Sequence, residues 1–203
     1  MPIACVLAVV LLFGIGSCGG KGPAKAINLH NVDWANVTIP GSVCGAKDPI
    51  QLRKRKAVVS SSRWGSRLPR VTVSSGWNPV VYGDLDRDGK DEAALVVDCN
   101  NGGGTADGVL AYAQIVFTAG EKSPRPIGII TPRQHPPHEL PTLLRVSIQP
   151  GAVVAHEAWY RPTDGTCCPS GRSTTVWRLR GGRLQEVNIF IVTRASLSLG
   201  GGG

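Results

Sequence analysis

The stretch Val81-Tyr82-Gly83-Asp84-Leu85-Asp86-Arg87-Asp88-Gly89-Lys90-Asp91-Glu92-Ala93-Ala94-Leu95-Val96-Val97 decides the reading of the fold. A short β-prone arm, an acidic turn and a longer apolar arm predict two adjacent strands joined by a loop. The loop has the chemistry of a hard-cation site. Counting from Asp84, carboxylates occupy positions 1, 3 and 5, and Gly89 takes position 6, where the backbone must turn sharply. Lys90 offers a main-chain carbonyl, and Glu92 offers a further carboxylate. A flexible set of oxygens suits calcium, which takes about six to eight of them. The expected ligands are therefore Asp84, Asp86, Asp88, the Lys90 backbone and Glu92, around a structural Ca2+. An EF-hand is excluded, because its closing Glu is replaced by Leu95 and the flanks read as strands rather than helices.

Outward from this point the chain continues as short β-prone runs punctuated by turn residues. Strands are expected at Val37–Ile39, Ala57–Ser60, Arg70–Ser74, Val80–Tyr82, Glu92–Asp98, Val109–Thr118, Ile127–Thr131, Leu143–Gln149, Val153–Trp159, Ser173–Leu179 and Leu184–Val192. Pro150-Gly151 and Gly181-Gly182 sit where hairpin turns belong. Trp177 and Leu179 alternate with Arg178 and Arg180, which predicts a strand with one wet face. No segment carries a sustained 3.6-residue period with caps; a short helix near Ile27–Val32 is the one candidate. The fold class that follows is mainly β: an antiparallel sandwich or open barrel-like meander with little helix.

The chain has 203 residues. Residues Ile3 to Phe13 are apolar but too few to span a bilayer. They read as the core of a signal peptide over residues 1–17, although no Lys or Arg precedes them. Ile15-Gly16-Ser17-Cys18 resembles a bacterial lipobox, which implies diacylation of Cys18. Acyl chains hold at about 0.8 kcal/mol per buried CH2, so two or three anchor stably. Residues 18–26 form the lipidated end and a flexible tether, 27–195 a single β domain, and 196–203 a disordered Gly-rich tail. The expected address is the outer face of a bacterial cytoplasmic membrane.

The formal net charge is +8, from 22 Lys and Arg against 14 Asp and Glu. The basic residues are dispersed, and the extracytoplasmic address argues against nucleic acid as partner. The one cluster, Arg53-Lys54-Arg55-Lys56, lies between two β-prone runs and reads as a solvated hairpin turn. A membrane reached through the lipid anchor is the expected partner, with a cell-wall polymer or another envelope protein beside it.

The sequence holds 6 cysteines. Cys5 belongs to the signal and Cys18 to the lipid, leaving Cys44, Cys99, Cys167 and Cys168 for two disulfides in an oxidising compartment. A bond between the adjacent Cys167 and Cys168 closes a strained ring. The expectation is therefore that Cys44 and Cys99 each pair with one of them.

Two resemblances follow from these motifs. Gly83 to Glu92 and the Ala-Ala-Leu-Val-Val after it resemble the strand–loop–strand calcium motif of FG-GAP/VCBS repeats, which implies Asp84, Asp86, Asp88 and Glu92 as side-chain ligands. Only one copy is present, so no propeller is implied. The lipobox, the Asp loop, Asp164-Gly165-Thr166-Cys167-Cys168-Pro169-Ser170-Gly171 and the terminal Gly181-Gly182 hairpin together resemble actinobacterial LppP/LprE-type envelope lipoproteins. That resemblance implies a class and an address, and no activity.

Other constellations carry less. Asn100 to Gly108 is Gly-rich but lacks the Lys-Ser/Thr of a phosphate loop. His135 and His138 are separated by two prolines, which forbids a helical metal pair. Among the 5 tryptophans, Trp64 sits in a polar stretch where an exposed ring stacks on sugar or touches lipid, while Trp34, Trp77, Trp159 and Trp177 read as core. No catalytic motif is present, so no catalytic or cofactor-binding residue is assigned and the expected role is non-enzymatic binding or envelope accessory. The rival readings are a cell-wall hydrolase using Asp107, Glu157 or Asp164 beside the metal, and a structural spacer.

Overall fold

The computed structural model describes residues 26–66, 69–76, 80–102, 108–133, 143–165 and 168–192. The segment expected to be signal peptide and lipobox, with Cys18, and Trp77, Asp107, His135, His138, Cys167 and the C-terminal residues 193–203 lie outside them.

The strands are β1 (Thr38–Ile39), β2 (Ile50–Gln51), β3 (Lys56–Ser60), β4 (Arg70–Ser74), β5 (Val80–Gly83), β6 (Glu92–Asn100), β7 (Val109–Thr118), β8 (Arg125–Ile130), β9 (Leu143–Gln149), β10 (Ala152–Trp159), β11 (Gly171–Arg180) and β12 (Arg183–Val192). All pairings are antiparallel. They form a six-stranded sheet ordered β3-β4-β6-β7-β8, with β5 also on β6, and a four-stranded sheet ordered β12-β11-β10-β9. Strands β4 and β5 share one edge of β6, in succession: Ser74 opposes Asp98, and Val80 opposes Leu95. The expected mainly β, antiparallel architecture is what the chain adopts. Helical structure among the described residues is confined to 3-10 turns, and Leu29–Asn31 replaces the helix expected near Ile27–Val32.

Layering explains the apolar run after the Asp loop. Strand β6 is covered on both faces, so it has no polar alternation to show. Ala93, Leu95, Val97 and Cys99 face one cluster, which they share with Ile115 and Phe117 of β7 and with Leu29, Trp34, Ile39, Val43, Ile50 and Leu52 of the N-terminal segment. Ala94 faces a second cluster, shared with Leu85, Val116 and Ile130 and with Val146, Val153, Ala155, Trp177 and Leu184 of the four-stranded sheet. The molecule is a sandwich of two sheets with the N-terminal segment as a third layer. Two glycines let the sheets approach. A Cβ on Gly83 would lie 2.7 Å from the Ile148 carbonyl oxygen, and one on Gly128 would lie 2.5 Å from Leu184 Cβ.

The cysteine expectation is corrected. Cys44 is bonded to Cys99, with Cα atoms 5.7 Å apart. Cys44 ends the 3-10 turn Gly41–Cys44, which lies on the outer face of β6, the face Cys99 occupies. Neither is therefore available to Cys167 or Cys168. Cys168 is itself disulfide-bonded.

The basic cluster forms a turn, as expected, in which Arg53 and Lys56 exchange backbone hydrogen bonds and Lys54 and Arg55 take positive φ. Its first arm goes elsewhere: Ile50–Gln51 pairs with Thr38–Ile39.

Candidate metal centre

Antiparallel pairing of Gly83 with Glu92 closes the Asp84–Asp91 segment into a loop between neighbouring strands. The loop folds by turning its acidic side chains onto its own backbone. Asp84 accepts the Arg87 N–H at 2.7 Å through one oxygen and the Gly89 N–H at 3.1 Å through the other. Asp86 accepts the Asp88 N–H at 3.1 Å, and Asp88 accepts the Lys90 N–H at 2.8 Å. Arg87 and Gly89 take φ of 68° and 80°, and these left-handed residues produce the curl.

The result brings together one oxygen each of Asp84, Asp86 and Asp88, all within 4.8 Å of one another. Asp86 and Asp88 are exposed and Asp84 half-buried, so the group faces solvent. Such an all-oxygen, anionic donor set fits a hard cation. The Lys90 ammonium lies 3.7 Å from Asp88 and offsets part of the charge.

Glu92 has a different place. It is buried, accepts the Leu85 N–H at 3.0 Å through one oxygen and the Thr118 hydroxyl at 2.9 Å through the other. The metal-capable group among the described residues comprises the three aspartates, without Glu92. Burial raises the Glu92 pKa above the usual carboxylate value, against the lowering effect of its two hydrogen bonds; the charges of Asp86 and Asp88 push it further up. Its evident work is to brace the loop from beneath.

The loop is also tied to the other sheet. Leu85 points into the core between the sheets, its carbonyl accepts the Gly151 N–H at 2.7 Å, and the Arg87 guanidinium donates to the Pro150 carbonyl at 3.4 Å. A tie to the N-terminal layer went unseen in the sequence: His30 Nε2 lies 2.9 Å from Asp91 Oδ2, and the His30 ring stacks on Tyr82 at 4.0 Å. No local signal announces such a contact, because the partners are 61 residues apart.

The remaining candidates are dispersed. Glu157 is buried on the inner face of β10, where both its oxygens accept the Arg133 N–H at 3.0 Å and the Ser173 hydroxyl donates to one of them. Trp64 is half-buried and packs against the N-terminal core, so the expected exposed ring is not found.

Asp164 lies in the β10–β11 connection. It accepts the Ser170 hydroxyl at 2.6 Å and the N–H groups of Arg161 and Ser170 at 2.7 Å. These bonds, the Ser170 hydroxyl first, lower its pKa to about 2. Its stabilising contribution is present above the unfolded value of 3.8 and is lost as pH falls through about 2. A carboxylate NMR titration should therefore place the Asp164 midpoint near 2, and Ser170→Ala should move it toward 3.8. A wild-type midpoint already at 3.8 would mean that the bonds are not formed in solution.

Fold and loop together define a class: a two-sheet antiparallel β domain carrying one aspartate loop on its central sheet. Comparison with known proteins adds no family, since no family model, curated protein or solved structure matches the chain.

Proposed function

We propose that this is a lipid-anchored, extracytoplasmic β domain whose Asp84–Asp88 loop binds calcium, and whose role is non-enzymatic binding or support of the cell envelope. The observation that carries the reading is the convergence of the three aspartate oxygens within 4.8 Å on a loop joined to both sheets. An ion there neutralises carboxylates that otherwise repel one another, and so holds the seam between the sheets. The Ile15-Gly16-Ser17-Cys18 lipobox and the likeness to LppP/LprE-type lipoproteins support the anchor and the address. The engagement of Glu157 and Asp164 by internal hydrogen bonds supports a binding role over hydrolysis.

The test is thermal unfolding of the full chain in excess EDTA and then in millimolar calcium. A ligand that binds only the folded state at about 100 times its Kd adds roughly 2.7 kcal/mol. For a domain of this size that corresponds to a rise of several degrees, about 2–4 °C per kcal/mol. Magnesium should not reproduce the rise, and Asp86→Asn with Asp88→Asn should abolish it. An unchanged melting temperature at millimolar calcium would reduce the loop to an acidic turn and remove calcium from the proposal.

A further inference from the structure

The four-stranded sheet has one face in the core and one open to solvent. On the inner face lie Glu157, Trp177 and Glu186, the last paired with Arg133. On the outer face, the register sets Arg145, His156, Thr174 and Phe190 in one row across β9, β10, β11 and β12. Side chains directly opposite one another in antiparallel strands share a face. The same face of β11 carries Arg172, Arg178 and Arg180, and Arg183 of β12 lies opposite Arg180.

The five arginines are exposed. Among the described residues, none of them forms a salt bridge, and the register brings no acidic residue onto this face. The Asp84–Asp91 loop touches the β9–β10 turn at one end of the sheet, off the face itself. Much of the excess positive charge of the chain is thus laid out on one side of one sheet. Arg172 and Arg180 are separated by about 27 Å along β11. Cations so spread do not converge on a small anion; they match an extended anionic surface.

Phe190 decides which kind. It is 54% exposed in the row that begins with Arg145. Guanidinium groups flanking an exposed aromatic ring match a bilayer interface, where phosphates take the charge and the ring enters the headgroup region. A soluble polyphosphate, which carries no apolar or aromatic group, has no use for the ring.

We propose that the outer face of the β9–β12 sheet docks on anionic phospholipid bilayer. This surface stands on the sheet alone and needs neither the acyl chain nor the calcium loop.

The test uses the full chain carrying Cys18→Ser, so that no acyl group is added. Vesicle co-sedimentation is measured at physiological salt with pure phosphatidylcholine, then with about 30% phosphatidylglycerol. The reading is the difference between the two compositions, which cancels whatever the apolar N-terminus contributes. Each arginine at such a surface contributes about fivefold. Arg145→Gln, Arg178→Gln, Arg180→Gln and Arg183→Gln together should therefore lower the phosphatidylglycerol-dependent partition at least tenfold, and the same four changed to Lys should retain it. The side chains of these four make no hydrogen bond or ion pair among the described residues, and the pair Arg180→Gln, Arg183→Gln at the hairpin tip gives the same effect at smaller amplitude if the fourfold variant unfolds. Phe190→Ser should weaken binding to vesicles and leave binding to soluble polyphosphate unchanged. Binding indifferent to phosphatidylglycerol, or unaffected by the arginine changes, would overturn the proposal. Polyphosphate binding tighter than vesicle binding, with Phe190→Ser silent in both, would assign the face to a soluble polyanion instead.

Discussion

Replacing Cys44 and Cys99 together by alanine is expected to lower the unfolding free energy by about 4 kcal/mol. The bond closes a loop with a sequence separation of 55, and the stabilisation grows with the entropy such a loop would regain in the unfolded chain. The location sharpens the expectation. Both sulfurs are fully buried in the cluster that joins the N-terminal layer to β6, so alanine also leaves a small void there. Urea denaturation monitored by far-ultraviolet circular dichroism measures the change. A loss below about 1 kcal/mol would mean that packing holds the layer without the cross-link. Peptide mapping of the unreduced wild type should recover the Cys44 and Cys99 peptides joined to each other, and finding either joined to Cys168 would reverse the pairing described above.

Phe117→Ala is expected to remove a further 3–5 kcal/mol, roughly, when made alone. Phe117 is fully buried on β7, and its ring centroid is 5.2 Å from that of Trp34, with the two planes tilted at 59°. Trp34 in turn donates its indole N–H to the Tyr82 hydroxyl at 2.8 Å. The aromatic pair is the point at which the N-terminal layer locks onto the central sheet. Alanine leaves a cavity among strands already committed to backbone pairing, and such walls collapse poorly. The accompanying signature is a change in Trp34 emission in the folded state, because its ring loses an apolar neighbour. A stability loss under 1 kcal/mol would show that the layer repacks freely and that this contact is incidental.

The strands were legible where the chain alternates or turns on itself. Val109–Thr118 and Leu143–Gln149 match their expected bounds, and Gly151, Gly181 and Gly182 take the positive φ that their hairpin positions require. These signals are local: period, turn residue, neighbour. What could not be read is non-local. The partner of Ile50–Gln51 is Thr38–Ile39, because a single apolar residue on so short a strand leaves the choice of neighbour to the layer it packs in. Cys99 pairs with Cys44 because of the face of β6 it occupies, and a strand buried on both faces does not reveal which residue faces which way.

The aspartate loop was legible for the same local reason: alternating carboxylates around a Gly that turns. Glu92 was misleading. Its spacing matches a ligand position, yet it begins β6 and points beneath the loop to the Leu85 N–H and the Thr118 hydroxyl. Whether a carboxylate at that position faces outward or inward depends on strand parity and on Thr118, which is 26 residues away.

The disulfide also sets a timetable for biogenesis. Synthesis runs from the N-terminus, so Cys44 leaves the ribosome roughly 3–11 s before Cys99 at ordinary elongation rates of about 5–20 residues per second. For that interval Cys44 lacks its partner Cys99, and Leu29, Trp34, Ile39 and Leu52 have no sheet to cover. The layer made first is the layer that must wait, and it can be completed only when β6 and β7 arrive. The cross-link and the core of the N-terminal layer are therefore both completed late in synthesis.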